Sequence, residues 1–111
     1  MAKYEFTVTA DLDNFLIDLD NVVQESISAT LEDTSNFSVG DVRCAVRVYE
    51  RFSYMGGNRV SLNVTCLSKD EEVHVSAIAS GGSQAVFFKI NTFGEESFLE
   101  DVCNPLIEKY K

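Results

Sequence analysis

From Arg43 to Asn91, apolar and polar residues alternate in four runs separated by short turn segments, a pattern that limits this stretch to an antiparallel meander. In the first run Val42, Cys44, Val46, Val48 and Phe52 share one face, and Arg43, Arg47, Tyr49 and Arg51 share the other. Val60, Leu62, Val64 and Cys66 repeat the alternation after Gly56-Gly57-Asn58. Val73, Val75, Ala77 and Ala79 repeat it after Ser68-Lys69-Asp70-Glu71, and Val86, Phe88 and Ile90 after Gly82-Ser83.

Side chains directly opposed in a sheet point to the same face, so loop length decides which apolar rows can be buried together. Phe52 beside Leu62 requires an odd connection, which Gly56-Gly57-Asn58 supplies as a bulged turn. Val64 beside Val75 requires an even one, met by Ser68 to Glu71. Ala77 beside Phe88 fits a two-residue type II′ turn at Gly82-Ser83. Together the turns predict one inward face carrying the valine rows, with the arginines and Tyr49 outward.

The flanking segments add helices. Tyr4, Phe6 and Val8 alternate with Lys3, Glu5 and Thr7, a half-buried strand. Asp11 and Asp13 suit a helix start, and Leu12, Phe15, Leu16, Leu19, Val22, Val23 and Ile27 form one apolar stripe, predicting a helix over about 12–26. A short strand is expected over 28–33, then a turn at Thr34-Ser35-Asn36, with Phe37 to Gly40 either continuing the strand or belonging to the loop. Thr92-Phe93-Gly94-Glu95 resembles a capping box. Phe98, Leu99, Val102, Cys103, Leu106 and Tyr110 then lie on one helical face, and Pro105 is expected to kink or divide that helix.

The element order is β-α-β4/5-α, and the expected fold is α+β: one curved antiparallel sheet with both helices on one face, in a single domain over 1–111. This order resembles the TATA-binding-protein-like fold and the larger helix-grip domains, in which a curved sheet wraps a C-terminal helix. The stretches Ser28-Ala29-Thr30-Leu31-Glu32-Asp33, Val46-Arg47-Val48-Tyr49-Glu50-Arg51 and Gly81 to Asn91 are similar to a family of short bacterial proteins of unknown function. That resemblance covers nearly the whole chain. It implies a bacterial cytoplasmic protein and supplies no site residue.

Charge excludes some functions. Eighteen acidic residues against nine basic ones leave a net charge of −9, the wrong sign for a general affinity for nucleic acid or an anionic membrane. No apolar segment near the start suits a signal peptide and no window is long enough to span a membrane, so a cytoplasmic location is expected. Cys44, Cys66 and Cys103 are odd in number, lack metal-site spacing and fall on apolar faces, so core thiols are expected. His74 is the only histidine and is expected at the surface. No catalytic group, metal site or cofactor is predicted.

Three readings follow. The first is a non-enzymatic interaction or regulatory module, forming a homodimer through an outer-face cluster of Ile78, Phe87, Tyr49 and Leu67. The second is a carrier of a small apolar ligand in a cavity between sheet and C-terminal helix, lined by Leu62, Ala77, Phe88, Phe98 and Val102. The third is an enzyme holding an anionic substrate on Arg43, Arg47 and Arg51, disfavoured because no nucleophile–base pair accompanies them.

Overall fold

Alternation at the start and helical spacing after Asp11 build the first two elements. A computed structural model describes residues 2–25, 29–52, 59–81 and 88–110, with the backbone alone at 52 and 88–97. Ala2–Thr9 forms strand β1, and Leu12–Gln24 forms helix α1. The Asp11 carboxylate accepts the backbone N–H of Asn14 at 3.2 Å, satisfying one of the otherwise unpaired donors of the first turn. Strands β2 (Thr30–Val39), β3 (Val42–Phe52), β4 (Arg59–Lys69) and β5 (Glu72–Gly81) follow, and helix α2 (Phe88–Lys109) closes the order.

The strands make one five-stranded antiparallel sheet in the order β1-β5-β4-β3-β2. Because β1 and β2 occupy opposite edges, α1 has to carry the chain across the sheet. Both helices lie on one face, which we call the inner face. Phe15, Leu16 and Leu19 of α1 join Phe98, Val102, Cys103 and Leu106 of α2 in one core with Val60, Leu62, Val64, Cys66, Val73, Val75, Ala77 and Ala79. The expected α+β architecture is therefore present, with four of the four or five expected strands between the helices among the described residues.

Four expectations are corrected. Residues 34–36 are not a turn: β2 runs through them, and the turn lies at Gly40-Asp41, where Gly40 takes φ +60° between the paired Val39 and Val42. The β4–β5 connection is Asp70-Glu71 alone, with φ values of 52° and 66°, so Val64 pairs with Ala77 rather than with Val75. That shift of two residues keeps every side chain on its expected face.

The third correction changes a face. Phe52 pairs with Arg59 and Tyr49 with Leu62, so the β3–β4 connection spans 53–58, an even number of residues. An even connection in place of an odd one turns β3 over relative to β4. Ala45 and Tyr49 are buried on the inner face, and Val42, Cys44, Val46 and Val48 line the outer one. Gly56-Gly57-Asn58 itself lies outside the described residues, as does Gly82-Ser83.

The fourth concerns the last expected strand. Phe88, Ile90 and Asn91 belong to α2, so among the described residues no strand follows β5, and Thr92 lies within the helix rather than at its start. The physical reason is that β5 has no free edge: β1 pairs along one side, Tyr4 opposite Ala77, and β4 along the other. Helix α2 also continues through Pro105, which is exposed and does not divide it. Ala77 and Ala79, small and fully buried, form the floor on which α2 packs.

Candidate interaction surface

The three arginines of β3 face the helices, and two of them hold α1 and α2 to the sheet margin. Arg43 makes a 2.8 Å ion pair with Asp13 in the first turn of α1. The Arg43 guanidinium holds the Asp13 carboxyl below its ordinary range, first by the hydrogen bond and then by its charge. Arg51 reaches Asp101 of α2 at 3.2 Å and stacks over the Phe98 ring, 4.4 Å from its centroid. Arg47 donates to Asn36 Oδ1 and to the Val46 carbonyl. Each arginine is thus oriented by a different local partner, and they do not converge on a common anion site.

Tyr49 is drawn inward for a related reason. Its ring is buried, and its hydroxyl donates to Asp20 of α1 at 2.6 Å. Burial, followed by the Asp20 carboxylate, pushes the phenol well above its ordinary range. The opposite flank of α1 grips α2. Asp18 accepts from Lys109 Nζ at 2.9 Å and from the Tyr110 hydroxyl, while the Phe15 and Tyr110 rings lie 5.6 Å apart. Tyr49 is therefore corrected from an outer interface residue to a core residue that anchors α1.

The proposed ligand lining has also become core. Leu62, Ala77, Phe98 and Val102 are at most 1% exposed and belong to one packed cluster; the Phe88 side chain lies outside the described residues. The thiols divide. Cys66 and Cys103 are buried, and burial pushes each up to about 12, the inert condition of a structural thiol. Cys44, expected inside, is half-buried on the outer face opposite Leu67.

Among the described residues, no helix lies against the outer face. Its cross-strand rows follow from the pairing. Asp33, Val48, Asn63, Ile78 and Lys3 form one row from β2 to β1. Ser35, Val46, Thr65, Ser76 and Glu5 form the second, and Phe37, Cys44, Leu67, His74 and Thr7 the third. Phe37 is 58% exposed, Val39 75%, Leu67 44% and Ile78 37%, so the half-buried column of Val42, Cys44, Val46 and Val48 meets open apolar side chains at its Cys44 end, while Val46 and Val48 are flanked by Ser35, Thr65, Asp33 and Asn63. A shallow groove of about 440 Å³ lies at the β1 side, lined by Glu5, Thr7, Thr65, Leu67, His74 and Ser76. In it Thr7 Oγ1 and His74 Nδ1 are hydrogen-bonded at 3.0 Å.

Strand β2 contributes nothing to the core: all ten of its residues are exposed. Sequence reasoning found Leu67 and Ile78 on this face and missed Phe37, Val39 and the valine row. The alternation of Phe37 with Val39 was the available signal, obscured by reading 34–36 as a turn. Phe87 lies outside the described residues. Among the described residues no cluster of His, Cys, Asp or Glu is arranged to hold a metal ion, and no helix is long and apolar enough to cross a membrane.

A family model described as "Family of unknown function (DUF6054)" matches residues 1–111. No curated protein and no solved structure matches the chain.

Proposed function

The chain belongs to this family of unknown function, whose description assigns no chemistry, and we propose from geometry that it is a non-enzymatic interaction module that self-associates through the outer sheet face. The observation that carries this reading is the uncovered apolar surface formed by Phe37, Val39, Val42, Val46, Val48 and Leu67, with Ile78 set apart from it beyond Asn63. Contiguous apolar area of this kind on a sheet face marks contact with another macromolecule. The fully exposed β2 points the same way, because a strand that buries nothing in the monomer gains its packing from a partner. A cytoplasmic location accords with three unpaired thiols.

Sedimentation velocity over a concentration series tests the reading, with Val46→Glu as the disrupting change. The expected result is a reversible doubling of mass that Val46→Glu abolishes while the circular dichroism spectrum is kept. Cys44 provides a second readout: its alkylation should slow as the dimer forms, while Cys66 and Cys103 stay unreactive throughout. A mass that stays monomeric at every concentration, or a dimer indifferent to Val46→Glu, overturns the proposal.

A further inference from the structure

The two ends of the outer face are complementary to each other. Lys3 on β1 and Asp33 on β2 terminate the same cross-strand row, and neither has an ion-pair partner among the described residues. Two rows away, Phe37 protrudes from β2, and the Thr7–His74 groove is recessed at β1. With strands about 4.8 Å apart, the ends of a row are separated by roughly 19 Å, too far to meet within one chain. Reversing one copy left to right brings them together.

We propose that a second copy of this chain covers the outer face about a two-fold axis parallel to the strands and centred on β4. Lys3 of each copy then meets Asp33 of the other, and each Phe37 ring enters the other copy's groove beside Thr7 and His74. This inference rests on the self-association proposed above and fixes its orientation. Val48 falls over Ile78 of the other copy, and Leu67 meets its own counterpart near the axis. Arg59 and Lys69 also approach their own counterparts, at the two rims. Each brings its own acidic neighbour, since Arg59 is paired with Glu50 at 3.2 Å and Lys69 lies opposite Glu72.

The orientation is selective. An axis perpendicular to the strands would set Lys3 over Thr9 and Asp33 over Val39, leaving both charges unpaired in the contact. The area suffices as well. Five strands at about 4.8 Å and some eight residues at about 3.3 Å give roughly 650 Å² per copy, or roughly 1,300 Å² in total. Stable specific interfaces begin near 1,200 Å² in total. Face-to-face stacking of two sheets with nearly aligned strands is an established packing geometry.

The test is a charge swap read by sedimentation velocity. At about 150 mM salt, where the screening length of about 8 Å suppresses the effect of net charge, Lys3→Glu and Asp33→Lys should each weaken dimerisation by about tenfold, because each substitution acts at two symmetry-related contacts. The double variant should return to within about threefold of the parent, since restored opposite charges again face each other. Both substitutions are at exposed positions, and circular dichroism confirms the fold. If the single variants associate like the parent while Val46→Glu still abolishes the dimer, this orientation is wrong and the face assignment stands. If Val46→Glu is also without effect and β2 amides become protected from exchange on dimerisation, the copies join edge to edge through β2 and both proposals fall.

Discussion

At the scale of single residues, the tightest turn carries its own strain. Asp70 and Glu71 both adopt positive φ, the conformation a two-residue hairpin with matching twist demands, yet neither is glycine. The left-handed region costs an ordinary L-residue about 1 kcal/mol or more. Glu71 also accepts the Ala10 N–H through its backbone carbonyl at 2.9 Å, so its side chain is not needed for that contact. Glu71→Gly is therefore expected to stabilise the fold by about 1 kcal/mol, seen as a higher urea midpoint at unchanged slope. Tyr49 shows the opposite economy. The Asp20 acceptor lets a phenol be buried in a sheet margin that four neighbouring residues of its own strand leave half-exposed.

Among elements, one carboxylate adds a polar tie to the apolar contact between α1 and α2. The Lys109 and Tyr110 hydrogen bonds hold Asp18 below its ordinary 3.8, so near that pH the unfolded chain binds more protons than the folded one. The contribution is complete above the ordinary value and is lost as pH falls through the lower, folded value. Asp18→Asn should cost about 1 kcal/mol at neutral pH, and the gap to the parent should close in strongly acidic buffer, measured by urea unfolding across pH. A gap that persists at acid pH would locate the effect elsewhere. The element content was legible wherever one period dominated. Leu12 to Val23 read as a helix, and the inner faces of β1, β4 and β5 were assigned correctly, because each depends on its own alternation. The face of β3 was not legible. Its valines look like a core row, and only the parity of the 53–58 connection, which no residue in it announces, turns them outward. Part of the candidate surface was hidden for the same reason. Val86, Phe88 and Ile90 suit a strand locally, and the occupation of both β5 edges by β1 and β4 is a fact of topology that periodicity does not encode.

On the scale of the whole molecule, a chain of net charge −9 that pairs with itself must overcome its own field. At about 10 mM salt the screening length is about 30 Å, long enough for one copy to repel another across the contact, and at about 150 mM it falls to about 8 Å. Exposed pairs such as Lys3 with Asp33 are worth at most about 1 kcal/mol each. At low salt that global repulsion opposes the local pairs, and dimerisation should strengthen several-fold between those salt concentrations as the long-range field is screened, as read by sedimentation equilibrium. Weakening over that range would place local ion pairs in control. The sheet order has a separate consequence for the nascent chain. β1 pairs only with β5, Ala2 opposite Ala79, whereas β2 to β5 join as successive hairpins. The earliest strand to leave the ribosome therefore waits for the latest one, and α1 waits with it, its apolar stripe without a sheet to cover. Assembly should start in the hairpins and finish with the docking of β1. Phe6→Ala is accordingly expected to speed unfolding while leaving the folding rate nearly unchanged.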